Sequence, residues 1–211
     1  MGDPTATKGR ARILESLSAL GILAPDEAVE ALSRHANEIV RWSRRVDLTG
    51  SATVEAFAAG PLFDALTLVP LLEDEGTLLD VGSGGGLPGI PAAILRPGLK
   101  ITLCEPRAKR AAFLRHAAAL LGLGARVEEA RDDALRDRGF DGAMAQAVWP
   151  AAKWLLRALL LVRPRGAIYV LSAEALDPAA LPPGTAIEMS SSFVRPRDGQ
   201  RRFAFRVRVD A

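Results

Sequence analysis

One cysteine and two histidines leave this chain little scope for thiol or metal chemistry. Cys104 has no second cysteine to meet, so neither an intrachain disulfide nor a cysteine-built metal site can form. His35 and His116 belong to no metal-ligand pattern. Long hydrophobic runs are also missing. A bilayer span needs ~20 apolar residues, and the longest candidate, WLLRALLLV, is interrupted by Arg157. The opening MGDPTATKGRAR has no apolar segment behind it, so no signal peptide is expected. There is no internal repeat and no low-complexity linker. These absences point to a cytoplasmic protein that needs no metal and no membrane.

What is present is a core-forming composition. Hydrophobic residues make up 49% of the 211 residues, which excludes wholesale disorder. The length suits one large α/β domain, or a compact domain with a helical extension. Net charge is only +2 and names no partner. Its distribution says more: six arginines against one aspartate occupy residues 195–208, and Arg107, Lys109, Arg110 and Arg115 form a second basic group. Such surfaces can follow nucleic-acid phosphates, although solvated helix and strand faces look the same in sequence.

From Arg10 to about Leu72 the pattern is helical. RILESLSALGIL stops at Gly21. PDEAVEALSRHANEIVRWSRRV opens on a proline and two acids and closes on arginines, in keeping with a helix dipole. VDLTG reads as a break, and PLFDALTLVPLL as a further helix. From Gly76 onward, short apolar runs alternate with helical patterns. That alternation predicts a parallel sheet with helices on both faces. TAIEMSSSFVRP and QRRFAFRVRVD, around Asp198–Gly199, predict an antiparallel hairpin at the sheet's end.

The most informative stretch is DVGSGGGLPG, residues 80–89, where a strand should end near Val81 and a helix start near Pro88. Gly82, Gly84 and Gly86 permit backbone angles and close approaches that side chains would block. Ligands of open α/β sheets bind beyond the carboxyl ends of strands, where this loop falls. A phosphate-binding P-loop is excluded, because no Lys-Ser/Thr follows. A dinucleotide fingerprint would need its third glycine at Leu87. Asp80, two residues before Gly82, suits a cationic ligand better than a pyrophosphate. Glu105, after the next strand, is placed to accept the hydroxyls of a ribose. Acid, glycine loop, helix, strand, acid is the order seen in class I S-adenosylmethionine-dependent methyltransferases.

A closer resemblance runs through DVGSGGGLPGIPAAILRP, LCEPRAKRAAFLRH, FDGAMAQA and the helical RWSRRVDLTG. Over roughly residues 15–210 the chain resembles the bacterial 16S ribosomal RNA guanine-N7 methyltransferases, the RsmG or GidB family. The resemblance implies a Rossmann-like α/β fold: a mostly parallel seven-stranded sheet with an antiparallel C-terminal hairpin. Residues 1–10 would be a flexible N-terminus, 11–75 a helical cap and 76–211 the methyltransferase domain. S-adenosyl-L-methionine would lie over Gly82, Ser83, Gly84, Gly86 and Leu87, supported by Asp80, with its ribose on Glu105. Its adenine would sit near Arg131, Asp132 and Asp133, with Gln146 in the pocket wall. The partner would be small-subunit ribosomal RNA, naked or assembled, met by a monomer. Candidate RNA contacts are Arg41, Arg44, Arg45, Lys109, Arg110, Arg195, Arg197, Arg201 and Arg202. No general base is expected, since guanine N7 carries a lone pair and no proton. Cys104, inside a strand, reads as a small buried hydrophobe. Trp42, Trp149 and Trp154 read as core residues.

The chain departs from the family's pattern at particular places. Ser43 and Asp47 stand where the family has asparagines, and Pro61 where it has a histidine. Ala65 replaces a serine after Asp64. Gln146 stands for an arginine and Ser172 for a lysine. Three readings follow: methylation of a guanine N7 in small-subunit RNA, a class I methyltransferase acting on a different RNA or a small molecule, or a non-catalytic RNA- or ribosome-binding relative.

Overall fold

The computed structural model describes residues 4–211. Helix α1 spans Pro4–Ala19. Residues 4–10, expected as part of a flexible tail, are therefore helical turns, and residues 1–3 lie outside the described residues. Gly9 lets this helix lie close to the next layer, since a Cβ there would stand 2.5 Å from a Val54 methyl. Helix α2 (Asp26–Trp42) starts after an extended Pro25, with Asp26 and Glu27 in its first turn and Arg41 in its last. Its buried stripe is Val29, Leu32, Ala36 and Ile39.

The helix expected from Pro61 begins earlier and is irregular. It comprises α3 (Val54–Phe57), a π turn over Ala58–Leu62 and α4 (Phe63–Leu66), with a 3-10 turn at Val69–Leu71. Pro61 lacks an N–H, so the regular ladder cannot run through it, and the backbone widens there instead. The stretch 54–71 is long and apolar enough to cross a membrane by composition, contrary to the sequence reading. Its apolar faces are nevertheless mostly buried, with Phe57, Leu62 and Leu66 inaccessible to solvent.

Seven strands form one sheet: β1 (Gly76–Val81), β2 (Leu99–Cys104), β3 (Arg126–Glu128), β4 (Phe140–Met144), β5 (Val162–Ser172), β6 (Thr185–Val194) and β7 (Arg201–Val209). The order is β3-β2-β1-β4-β5-β7-β6. The first five are parallel, and β7 pairs antiparallel with both β5 and β6. Helices α5 (Gly89–Leu95), α6 (Ala108–Leu120) and α7 (Ala151–Ala158) connect the strands.

Strand alternation divides the core in two. Leu78, Ile101, Leu103 and Tyr169 face the cap helices, α5 and α6. Leu79, Cys104, Ile168 and Val170 face α7. The cap therefore closes one face of the sheet. Each fully buried Leu or Phe that it contributes stabilises the contact by roughly 1.5–3 kcal/mol. Strand order reverses between β1 and β4, the point where a crevice opens above the strand ends.

Candidate functional site

The glycine loop leaves β1 at that crevice and is held from below. Gly82 and Ser83 donate their N–H groups to the Cys104 carbonyl at 2.8 and 3.1 Å, and Ser83 Oγ donates to the Asp80 carbonyl at 3.0 Å. Gly82, Gly84 and Gly86 have φ of 71°, 52° and 87°, values that favour glycine. The three do different things. A Cβ at Gly82 would stand 2.6 Å from a Val148 methyl, and one at Gly86 would stand 2.5 Å from Ile90. One at Gly84 would meet nothing nearer than 3.7 Å. Gly82 and Gly86 are glycines for packing, whereas Gly84 opens a cradle.

Above the loop lies a cavity of about 580 Å³, within the range of small-molecule pockets. Gly82, Ser83, Gly84 and Leu87 line one side, and Glu105, Arg131 and Asp132 another. Gln146 belongs to its wall. Glu105 is buried, accepting from Gly84 N at 3.0 Å and from Arg107 N at 2.9 Å. One lone pair on each oxygen stays free for a hydroxyl. Asp132 is fixed by Arg157 at 2.7 Å, and that guanidinium lies 4.8 Å above the Trp149 ring. Trp149 stacks in turn on Trp154, 6.0 Å between centroids.

Three residues expected at the cofactor do not line the cavity. Asp80 is fully buried beneath the loop, accepting from Gly89 N at 3.0 Å through one oxygen while the other has no partner. Burial pushes its carboxyl up to about 8. It shapes the loop rather than facing a ligand. Gly86 is turned into the packing with Ile90 and His35, and Gly85 takes its place in the lining. Asp133 is exposed, 3.8 Å from Arg157.

Several residues that do line the cavity were not assigned to it from the sequence. Ile39, Leu48, Thr49 and Phe57 reach in from the cap. Trp149 sits in the loop after β4, half-buried against the core and lining the cavity, while Trp154 is buried with its N–H on the Tyr169 carbonyl. Ala147, also lining, has φ 57°, a strained geometry of the kind that collects at functional sites. His35 is fully buried under the loop, with Nε2 2.8 Å from the Gly85 carbonyl. Burial drives its pKa down to about 4, so the ring is neutral and donates to that carbonyl. Cys104 is buried, with its thiol pushed up to about 12 by desolvation, which leaves it a poor nucleophile.

The family profile described as rRNA small subunit methyltransferase G matches residues 28–191. A relative from Anaeromyxobacter sp. (strain Fw109-5), named ribosomal RNA small subunit methyltransferase G, is 33% identical over 175 residues, 81% of each chain. This chain belongs to the rRNA small subunit methyltransferase G family. A namesake from Neisseria gonorrhoeae (strain NCCP11945) is 39% identical over 137 residues, covering 64% of this chain and 66% of that one. Among solved structures, the 1,6-didemethyltoxoflavin-N1-methyltransferase of Burkholderia thailandensis, with S-adenosylhomocysteine bound, superposes with a TM-score of 0.56 at 20% identity. It covers 90% of this chain and 92% of its own. At that identity the likeness shows the class I methyltransferase fold.

Of the residues expected to depart from the family's pattern, three make local contacts, while Ser43 Oγ and Gln146 Oε1 are buried without a partner. Gln146 Nε2 donates to the Pro61 carbonyl at 2.9 Å, satisfying an acceptor in the π turn. Asp47 pairs with Arg110 at 2.8 Å across the cavity mouth. Ser172 accepts from Glu174 N at the end of β5 and lies outside the cavity lining. Of the expected RNA contacts, Arg110 lines the cavity, with Arg107 beside it. Arg41, Arg44 and Arg45 line a separate hollow with Trp42. Lys109 is exposed on α6 and lines neither.

Proposed function

We propose that this chain transfers the methyl group of S-adenosylmethionine to N7 of a guanine in small-subunit ribosomal RNA. The observation that carries the reading is the open cradle at Gly84 set against buried Glu105, in a chain of the methyltransferase G family. The residues fit the cofactor. Glu105 holds the ribose hydroxyls, and Trp149, Arg131 and Asp132 frame the adenine. The backbone from Gly82 to Gly85 makes room for the amino-acid end. Asp80 acts through the loop, by accepting from Gly89 N.

When bound, the cofactor supplies a methyl group on a positively charged sulfur, ready for attack by a lone pair. The protein then has two tasks, to align N7 with that methyl and to keep water away. Alignment alone can supply several kcal/mol of such a barrier, roughly 7–11 in the best intramolecular models. No side chain needs to accept a proton, consistent with a cavity in which Cys104 is protonated and His35 faces the loop. The cap supplies the lid, through Leu48, Thr49 and Phe57. We take the working form to be a cytosolic monomer that meets the RNA as an extruded or unpaired base, because N7 is hard to reach in an A-form groove.

The test is incubation with methyl-labelled S-adenosylmethionine and small ribosomal subunits from a strain lacking the guanine-N7 mark. Label on one guanine N7 is the expected result. Cofactor binding without label would move the substrate elsewhere.

A further inference from the structure

We propose that the tip of the β6–β7 hairpin takes the RNA phosphate beside the methylated base, with Arg197 as the contacting cation and Arg195 as the residue that positions it. The proposal rests on the ribosomal RNA reading above and adds the place where the substrate is held.

The hairpin tip is built to hold its shape. Arg195 N donates to the Gln200 carbonyl at 2.9 Å, and Gly199 N to the Arg195 carbonyl at 2.9 Å. Arg195 itself is committed inside the protein. Its guanidinium pairs with Asp64 of α4 at 2.9 Å and with Asp198 of its own turn, and its side chain is only 15% exposed. That three-way pairing fastens the end of the sheet to the cap. It also removes Arg195 from the residues free to meet RNA.

Arg201 and Arg202 lie along the hairpin surface and donate to neutral side chains of the hairpin, Ser192 Oγ at 3.1 Å and Gln200 Oε1 at 2.8 Å. Arg197 differs. It is exposed, and among the described residues no carboxylate pairs with it. Its aliphatic stem lies across Gly60: a Cβ at residue 60 would stand 3.0 Å from Arg197 Cδ and 3.4 Å from Nη1. Gly60 lies in the π turn and is not among the glycines with positive φ, so glycine is not required there by φ. What the missing side chain secures is room for Arg197.

The position matters because Gly60 adjoins Pro61, which lines the cofactor cavity and receives the Gln146 amide. Gln146 is neutral and already engaged. Arg197 therefore brings a guanidinium without a carboxylate partner to the Pro61 side of the cavity, as Arg107 does from the side of Glu105. A planar guanidinium matches a phosphate bidentately, which the Gln146 amide cannot do. Holding the phosphate next to the extruded guanosine at this rim would fix the base relative to the cavity floor.

The experiment uses the full chain, unmodified small subunits and S-adenosylmethionine. Arg197→Gln should raise KM for subunits about tenfold with kcat within about twofold, leave cofactor affinity unchanged, and lower the salt slope of binding by about one. Arg195→Gln should also raise KM, and the double variant should be no worse than Arg197→Gln, because the two act as one unit. A purely structural Arg195 would add its effect instead. Wild-type KM and salt slope in Arg197→Gln overturn the proposal. If the wild-type protein transfers no methyl group, the functional reading has failed, and direct subunit binding still decides the hairpin: equal affinities for wild type and Arg197→Gln overturn it.

Discussion

The floor of the cavity and its rim are built on different principles. On the floor, Asp80, Glu105, His35 and the glycine loop are buried, and most of their hydrogen bonds are made to backbone. At the rim, Arg110 of α6 and the hairpin arginines Arg195 and Arg197 come from two elements far apart in sequence and sit at partly or fully exposed positions. A floor of backbone contacts tolerates little change, since replacing one residue forces its neighbours to move. A rim of long cations can be rearranged, because a guanidinium reaches the same region from another strand.

The largest expected effect is on the floor. Gly84→Val should fill the cradle and weaken cofactor binding on the order of 100-fold, about 3 kcal/mol. The strain of a left-handed valine should destabilise the fold by only about 1–2 kcal/mol. Calorimetric titration with S-adenosylhomocysteine beside a thermal melt separates the two. Unchanged affinity would show that the floor is not the cofactor's seat.

The next effect is nearly as large and depends on pH. His35 titrates at about 4 in the fold and at 6.5 when exposed. Between those values the unfolded chain binds the proton and the folded one does not. The contribution of His35 is therefore complete above pH 6.5 and falls by up to about 3 kcal/mol as pH drops through 4. His35→Gln, which keeps a donor for the Gly85 carbonyl, should flatten that limb in melts from pH 7 to pH 4. Asp80 works in the opposite sense. Its raised pKa stabilises the fold below pH 3.8, and that contribution is lost progressively between 3.8 and about 8, so Asp80→Asn should remove a decline in stability over that window.

A smaller effect probes the wall between floor and rim. Arg157→Ala leaves Asp132 without its cation and unstacks Trp149, at a cost of about 2 kcal/mol given the partial exposure of the pair. The urea midpoint measures it, and no shift would mean the pair is solvated in practice. The smallest effect concerns the rim alone. Gln146→Arg should change KM for subunits by no more than about twofold in the wild type, yet restore most of the loss in Arg197→Gln. A large gain in the wild-type background would mean that the hairpin does not supply the missing charge.

Much of the floor was legible in the residues, because local rules govern it. Alternating apolar runs and helical patterns marked the sheet. The spacing of Asp80, Gly82, Gly84 and Glu105 marked the strand ends where a ligand lies. Roles within that set were less legible. Asp80 and Gly86 look like ligand contacts in a linear motif, but burial turns both into supports for the loop. Trp149 and Trp154 read alike in sequence, yet Trp149 lies in the loop before α7, where its half-buried ring also lines the cavity, and Trp154 lies in the helix with its ring buried. The helical start at Pro4 escaped notice because its polar residues carry no apolar period, and the π turn at Pro61 because only the ladder's geometry reveals it.

The sequence by itself determined the sheet, the glycine loop and the acid beyond the second strand, since strand periodicity and glycine's access to positive φ are properties of neighbouring residues. Only the tertiary structure decided which charges are free. Arg195 and Arg197 stand two residues apart and are indistinguishable in a list of basic residues. One is consumed by Asp64, from 131 positions away in the chain, and the other lies over a glycine that makes space for it. Pairing of that kind depends on through-space distance, which no local pattern encodes.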